Sequence, residues 1–192
     1  MSMLKNLIKF IISNRPQLYW RFKTKEFLAD PWQKKIFPQH DWLLKQIKEL
    51  KPDSILEPGC GFGRNLNWLI KQGIKSEILT GTDPFFHPQG SINYVRANVL
   101  KLPFADKKFD LVFTHGLLMH LSPRQLPRAL AELVRVSNKY LIIIEEVCHR
   151  ARQLNYFTWA HDYDQLIRQF KLKVLESHLD KQLKLKWLLI QK

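Results

Sequence analysis

The chain has 192 residues, 45% of them hydrophobic, and a formal net charge of +14. This length can bury one full core but is short for two domains, so we expect a single globular domain. The two cysteines, Cys60 and Cys148, make neither a disulfide framework nor a CxxC metal site. No uncharged apolar run approaches the roughly 20 residues that span a bilayer. These features predict a soluble cytoplasmic protein.

The positive charge is concentrated at the two ends of the chain. The net charge is +7 over residues 1–51 and +4 over residues 171–192. Basic ends favour acidic partners such as nucleic acid, anionic lipid or a phosphorylated substrate. The alternative is that these side chains lie on exposed faces and only keep the protein soluble.

The first predicted element is an amphipathic helix near the amino terminus. Leu7, Ile8, Ile11 and Ile12 recur at helical spacing, with polar residues on the other side. Such a helix packs on its own domain, lies on an anionic membrane surface or contacts a partner. We expect packing, and keep peripheral membrane contact through residues 1–13 as the alternative.

Residues 16–38 are rich in aromatic side chains and are interrupted by three prolines. Basic residues interleave with the rings, which is a pattern of single-stranded nucleic-acid surfaces, although packing of large rings gives it too. A helix is predicted from His40 to Leu50, and Pro52 marks its end.

The stretch 54–66 predicts a strand, a tight turn and a helix. A short apolar run ends at Glu57, glycine stands at positions 59, 61 and 63, and an amphipathic segment follows to Gln72. Glycines let a ligand lie against the turn and the amino terminus of the helix. The pattern predicts a small-molecule cradle, while a glycine-rich loop without a ligand is the alternative.

A second acid, Asp83, ends the next predicted strand at about residues 77–82. In a nucleotide-binding strand–helix–strand unit, an acid in this place holds ribose hydroxyls. Two prolines and a glycine between positions 84 and 91 predict a loop in which Phe85 or Phe86 flanks the ligand and His87 is exposed.

The remaining elements alternate between strands and helices. We predict strands at 92–96, 111–114 and 140–144, helices at 124–136 and 162–170, and two closing strands at 171–177 and 183–190, with Pro127 in a short turn before its helix proper. Ligands bind beyond the carboxyl ends of strands in open parallel sheets, so the turn from His115 to Pro123 is expected to face the site.

The ordered motifs resemble those of the class I S-adenosylmethionine-dependent methyltransferases. The ExGxGxG pattern at residues 57–63 is similar to their motif I, and residues 115–121 resemble the "GVLxHL" passage of the methyltransferase-11 type. The resemblance implies a Rossmann-like three-layer α/β sandwich, with a seven-stranded mostly parallel sheet and an antiparallel carboxy-terminal hairpin. It implies a methyltransferase domain at 52–192, with residues 1–51 as a helical and aromatic segment covering cofactor and substrate.

The same resemblance implies roles for individual residues around S-adenosylmethionine. Glycines would shape the cradle above an acid, Asp83 would bind ribose, and Asn98, where the family more often has Asp, would meet the adenine amino group through its carbonyl oxygen. The residues expected to bind the cofactor are Glu57, Gly59, Cys60, Gly61, Gly63, Asp83, Asn98, Val99, Thr114 and His115.

Methyl transfer needs alignment of the reactants, and a general base assists some acceptors. His115 and His120 are candidates because histidine titrates near neutrality and the turn lies at the strand ends, and Glu145 is the next. The alternative is that His120 only holds the turn or the cofactor, and that Glu145 caps a helix or forms a salt bridge. No metal site is expected, because His149 and His161 lack a ligand cluster of recognisable spacing.

The leading hypothesis is a methyltransferase acting on a small molecule such as a sugar, a glycan precursor or a lipid-linked metabolite. Residues 63–66 together with 116–140 resemble methylases associated with pseudaminic acid and other surface-glycan biosynthesis. One alternative is an RNA methyltransferase that uses the basic termini. The other is a catalytically inactive, methyltransferase-like binding module.

Overall fold

The structure is a computed structural model, and it describes residues 19–20, 29–31, 35–147 and 158–192, with the backbone alone of 152–155. The predicted amphipathic helix at 4–13, most of the aromatic segment 16–38, Cys148 and His149 lie outside the described residues. No helix within the described ranges has the length and apolar character to cross a membrane.

The described elements alternate along the chain much as predicted. In chain order they are α1 (Pro38–Leu50), β1 (Ile55–Pro58), α2 (Arg64–Lys71), β2 (Leu79–Thr82), β3 (Asn93–Val95), β4 (Phe109–His115), α3 (Leu126–Val136), β5 (Ser137–Glu146), β6 (Arg152–Asn155), β7 (Thr158–Ala160), α4 (Tyr163–Gln169), β8 (Lys173–Asp180) and β9 (Leu185–Gln191). Short 3-10 turns occur at Ser76–Ile78 and Leu118–His120.

Seven strands form one sheet in the order β3-β2-β1-β4-β5-β9-β8. The first five are parallel, and β9 runs antiparallel to both β5 and β8. This confirms the predicted Rossmann-like sheet with its closing hairpin. Because β1 lies near the middle, the carboxyl ends of β1, β2, β4 and β5 meet along one edge, where the candidate site residues were expected.

Two apolar cores cover the two faces of the sheet and make the three layers. One face packs against α3 and α4 through residues such as Leu130, Leu133 and Ile167. The other packs against α1 and α2 through Leu43 and Leu66 among others. Buried strands alternate between these cores: Val112 belongs to the first, whereas its neighbours in β4 belong to the second.

Several element boundaries differ from the predictions for local reasons. Helix α1 begins at Pro38 rather than His40, since proline suits a first turn that has no amide partner and Nδ1 of His40 accepts a hydrogen bond of 3.2 Å from the amide of Phe37. Strand β2 starts at Leu79 because the 3-10 turn takes up the residues before it. Helix α3 begins at Leu126, with Pro127 in its first turn as expected.

Two further differences concern strands. Strands β4 and β5 are longer than predicted, since each extends through polar residues at its ends. The short antiparallel hairpin β6–β7 was not predicted at all. It follows β5 directly and brings Trp159 toward the carboxyl edge of the main sheet.

The loop after β2 contains no helix, as its prolines predicted. Tyr94 ties it down, because its hydroxyl lies 2.6 Å from the carbonyl oxygen of Asp83 and 2.7 Å from that of Phe86. Asn67 of α2 donates a hydrogen bond to the carbonyl oxygen of Gln89. The loop is therefore packed against the sheet edge, and His87 is exposed as expected.

The fold predicts a clear cost for opening a cavity in the first core. We expect Leu133→Ala, at a fully buried position of α3, to lower the free energy of unfolding by about 2–5 kcal/mol, because the lost transfer energy adds to that of the cavity. Urea denaturation followed by circular dichroism measures this. Lys108→Ala, at an exposed position, serves as the control, and equal losses for the two variants would contradict the assigned core.

Candidate functional site

A cavity of about 770 Å³ opens along the carboxyl edge of the sheet. Its walls come from the turn after β1, the loops after β2, β3 and β4, the end of β5, and parts of β7 and β9. A volume of this size is typical of a small-molecule site. Because it crosses the central strands, it collects most of the residues that the sequence singled out.

The glycine turn forms the floor of this cavity beside β1. Gly59, Cys60 and Gly61 line it, and the amide of Cys60 donates to the carbonyl oxygen of Thr82, which fixes the turn to β2. A Cβ on Gly59 would lie 2.4 Å from Leu117. A Cβ on Gly61 would meet nothing within 4 Å, although its φ of +54° favours glycine. The turn thus leaves open space above Gly61.

The third glycine and the thiol have packing roles. Gly63 does not line the cavity, and a Cβ there would come within 2.8 Å of Pro88 and Ile92, so glycine lets the loop after β2 pack against α2. Cys60 is buried, and burial raises the pKa of its thiol, with Glu57 and Asp83 raising it further. The thiol is therefore protonated and a poor nucleophile.

Glu57 lies buried beneath the glycine turn, with 2% of its surface exposed. Its Oε1 accepts a hydrogen bond of 2.6 Å from Nδ2 of Asn65. Its Oε2 is buried without a hydrogen-bond partner. Burial raises the pKa of Glu57 from 4.5 to about 8, although Asn65 and the Arg64 guanidinium act in the other direction. A cationic donor in the cavity would satisfy this oxygen and favour the ionised form.

Asp83 joins the glycine turn to the loop after β2. Its Oδ1 accepts from the amides of Phe85 at 2.7 Å and Phe86 at 2.9 Å, and its Oδ2 accepts from the amide of Gly61 at 3.2 Å. Burial raises the pKa of Asp83, and these three amides offset part of that effect. The carboxylate lines the cavity with lone pairs left to accept from hydroxyls of a ligand.

Two histidines meet behind Glu57, on elements that are distant in sequence. The rings of His40 in α1 and His115 at the end of β4 are 5.0 Å apart between centroids, and Nε2 of each is buried without a hydrogen-bond partner. Burial lowers the pKa of His40 to about 4 and that of His115 to about 3, and the nearby charge of Arg64 lowers both further. Both rings are therefore neutral near pH 7.

Asn98 and Val99 line the far end of the cavity, after β3. The carbonyl oxygen Oδ1 of Asn98, which was expected to face adenine, accepts a hydrogen bond of 2.9 Å from the amide of Leu100. A carbonyl oxygen has a second lone pair, so this bond still permits a ligand contact. Val99 is buried, and Phe85 and Phe86 line the wall nearby.

Glu145 lies under the cavity instead of lining it. Its Oε1 accepts from the amides of Leu117 and Leu118 at 3.0 Å each, and its Oε2 accepts from the amide of Met119 at 3.2 Å. Burial raises the pKa of Glu145 to about 7, while these hydrogen bonds act in the opposite direction. Thr114 is also buried and outside the lining residues. The geometry makes Glu145 an anchor for the turn after β4.

His120 lines the cavity from the 3-10 turn that Glu145 holds. Trp20 contacts it edge to face, with centroids 4.7 Å apart, and also contacts the ring of Phe86 at 6.2 Å. Phe86 in turn packs against Phe62 at 4.5 Å. Trp20 therefore contacts both the loop after β2 and the turn after β4.

Sequence reasoning missed several lining residues because no local pattern marks them. Gln39 comes from α1, Arg64 from the start of α2, Glu146 from β5 and Trp159 from β7. Arg64 follows directly on the glycine turn, and this place in the sequence was the one sign that it would line the site. No group of three potential metal ligands among the described His, Cys, Asp and Glu residues is arranged to hold an ion.

Comparison with known proteins finds one family model and several relatives that part of this chain resembles. Residues 56–143 match a family model of the methyltransferase-11 type, described as "Methyltransferase domain". The chain is 31% identical over 116 residues to a tRNA U34 carboxymethyltransferase of Pseudoalteromonas translucida, covering 47% of this chain and 35% of that protein. It is 32% identical over 79 residues to a malonyl-[acyl-carrier protein] O-methyltransferase of Pseudescherichia vulneris, covering 39% of this chain and 32% of that protein.

A solved structure matches almost the whole chain. The 1,6-didemethyltoxoflavin-N1-methyltransferase of Burkholderia thailandensis superposes with a TM-score of 0.66 at 15% identity, covering 97% of this chain and 88% of that one. This likeness shows a common fold. The chain spans less than half the length of the curated relatives that it matches.

The buried carboxylate of Glu57 predicts a distinctive pH dependence of stability. Its pKa is 4.5 unfolded and about 8 folded, so its contribution is fully present below pH 4.5 and is lost as the pH rises through 8, at about 1.4 kcal/mol per unit. We expect Glu57→Gln to reduce the fall in unfolding free energy between pH 5 and pH 8. Urea denaturation at both pH values measures it.

Glu145, whose pKa is also raised, contributes to the fall in unfolding free energy with pH. Its contribution is the same in the wild type and in the variant, so it cancels in the comparison. Glu49→Gln, at an exposed position of α1, is the control and should retain the wild-type slope. Parallel slopes for wild type and Glu57→Gln would show that Glu57 titrates normally in the folded chain.

Proposed function

We propose that the protein transfers a methyl group from S-adenosylmethionine to a small-molecule acceptor, since residues 56–143 match the model of a methyltransferase domain. The observation that carries the proposal is the single cavity that brings together the glycine turn, Glu57 and Asp83. These residues stand in the order of the family motifs. Their unsatisfied hydrogen-bonding capacity matches the polar groups of that cofactor.

The ribose end of the cofactor is assigned to Asp83. Its carboxylate is fixed in place by three backbone amides and faces the cavity. Two neighbouring hydroxyls donate well to one carboxylate, and hydrogen bonds to a charged group contribute about 1.5–3 kcal/mol each. Asn98, the Val99 backbone and the rings of Phe85 and Phe86 are assigned to the adenine.

The amino-acid end is assigned to the polar group around the end of β1. The orphan Oε2 of Glu57 suits an ammonium group, and Arg64 with the buried Nε2 of His115 suits a carboxylate. Gln39 reaches the same wall from the first turn of α1. A zwitterion would thus meet opposite charges on its two groups, which offsets the cost of burying them.

When bound, S-adenosylmethionine supplies a methyl group activated by a sulfonium, so the chain's task is mainly alignment. Trp20 and the rings that it contacts exclude water from the mouth of the cavity. Alignment alone lowers barriers by up to about 7–11 kcal/mol. The protein therefore needs no catalytic triad.

Among the three candidate bases, the geometry favours His120. The pKa of His115 is about 3, because burial and neighbouring positive charge destabilise its protonated form, so it accepts a proton poorly. Glu145 has its carboxylate engaged by backbone amides and is assigned as a positioning residue. His120 lines the cavity itself, on the turn that Glu145 holds.

A small acceptor fits the cavity better than RNA does. The described walls are mainly apolar and aromatic, and they line a cavity at the sheet edge instead of a basic groove. RNA binding would require basic side chains that track a phosphate backbone beside stacking rings. The described basic residues of the carboxy-terminal strands, Lys173 and Lys184 among them, do not line the cavity.

The ribose assignment predicts the effect of Asp83→Asn. This variant keeps one oxygen for the Phe85 and Phe86 amides but removes the charge, and we expect it to weaken binding of S-adenosylhomocysteine at least about 10-fold. Isothermal titration calorimetry measures the dissociation constant. Asp106→Asn, which does not line the cavity, should bind as the wild type does. Unchanged affinity in Asp83→Asn would remove the assignment.

Two ligands that differ in the amino-acid group test the amino-acid assignment separately from the ribose assignment. We expect His115→Leu to weaken binding of S-adenosylhomocysteine about 5- to 20-fold, which corresponds to the loss of one hydrogen bond. The affinity for 5′-methylthioadenosine should not change. The second ligand keeps the nucleoside and lacks the amino-acid group. Equal losses for both ligands in calorimetry would mean that His115 acts on the cavity as a whole.

A further inference from the structure

The cavity extends beyond the residues assigned to the cofactor. Those residues lie at the ends of β1, β2, β3 and β4, whereas the sheet continues to β5 and β9 on the other side of β4. Glu146 of β5, Trp159 of β7 and Leu185 of β9 line this second half. It begins beside the turn that carries His120, so it is the place for the acceptor. This step rests on the proposed function.

The walls of the acceptor half are apolar. Met119 and Leu121 come from the turn after β4, Trp159 from the hairpin, and Leu183 and Leu185 from the turn and strand that follow β8. Burying an acceptor against such walls is favourable only for an apolar body, at about 25 cal/mol per Å² of apolar surface. Ser122 and Gln125 also line the cavity but hydrogen-bond to each other, so a sugar would leave most of its hydroxyls without partners here.

One charged group stands in this apolar wall. Glu146 is half-buried at the carboxyl end of β5 and lines the cavity. Among the described residues its carboxylate takes part in no hydrogen bond or ion pair. The nearest strand, β9, sets Leu185 opposite it. Lys186, the next residue of β9, is paired with Asp164 instead. As far as the structure describes the chain, this wall therefore holds one uncompensated negative charge.

We propose that the acceptor is an apolar amine, whose ammonium form is held by Glu146 and whose body lies against the apolar wall. An unpaired carboxylate in a low-dielectric surrounding attracts a cation and repels an anion. Trp20 and Trp159 add indole faces, which attract ammonium groups through their π-systems. A neutral alcohol of the same shape would contact the apolar wall equally well but would lack the ionic contact with Glu146.

The transfer step balances for such an acceptor. The ammonium first gives up one proton to His120, which leaves a lone pair on nitrogen. The nitrogen forms a bond to the methyl carbon while the carbon–sulfur bond breaks, and the electron pair of that bond stays on sulfur as a neutral thioether. The methylated ammonium then carries the positive charge, which Glu146 continues to stabilise.

Matched pairs of probes test this inference directly. Tryptamine and tryptophol share an indole and differ in an amine against a hydroxyl, and octylamine and octanol do the same for an alkyl body. We expect wild-type protein to bind each amine at least about 10-fold more tightly than its alcohol in calorimetry, with S-adenosylhomocysteine absent or present. Glu146→Gln should remove that preference and leave alcohol binding unchanged.

Glu49→Gln on α1, far from the cavity lining, is the matched control and should retain the preference. Equal binding of amine and alcohol, no binding of either amine, or an undiminished preference in Glu146→Gln would each overturn the inference. Failure of the wild type to bind S-adenosylhomocysteine would instead remove the proposed function, because the amine preference is measured without that ligand as well.

Discussion

The structure depends on carboxylates buried at the carboxyl ends of three parallel strands. Glu57 is near the end of β1, Asp83 follows β2 and Glu145 is near the end of β5. Burying a charge is costly unless donors surround it. Asp83 and Glu145 are each surrounded by three backbone amides, so each of these two acids fixes a loop as well as occupying its own position. The loops that shape the cavity are therefore held from below.

Glu57 differs from the other two, because one of its oxygens is left without a donor. The same is true of Nε2 in His40 and in His115, which lie close by. Unsatisfied buried polar groups destabilise a fold, and proteins retain them where function requires them. This cluster is therefore best explained by a polar ligand that completes its hydrogen bonds, and the cavity gives that ligand access.

Local patterns were enough to predict the centre of the fold. The apolar runs, the alternating glycines and the acid after β2 act through neighbours in sequence, so the central strands and the places of Glu57 and Asp83 beside them followed from these patterns. The hairpin β6–β7, the meeting of His40 with His115, and the use of Glu145 for the turn at Leu117–Met119 were not predictable. They depend on contacts between elements that are distant in the chain, and no periodicity records such contacts.

The two halves of the cavity are built from different parts of the chain. Residues around β1 and β2 form the half that we propose for the cofactor and follow the family motifs, whereas the half that we propose for the acceptor is built from the hairpin, β5 and β9. The most direct measurement is a crystal structure of the protein with S-adenosylhomocysteine. The account predicts ribose hydroxyls on Asp83 and the ligand's amino group at Oε2 of Glu57. A ligand bound elsewhere, or one that leaves Glu57 uncontacted, would contradict it.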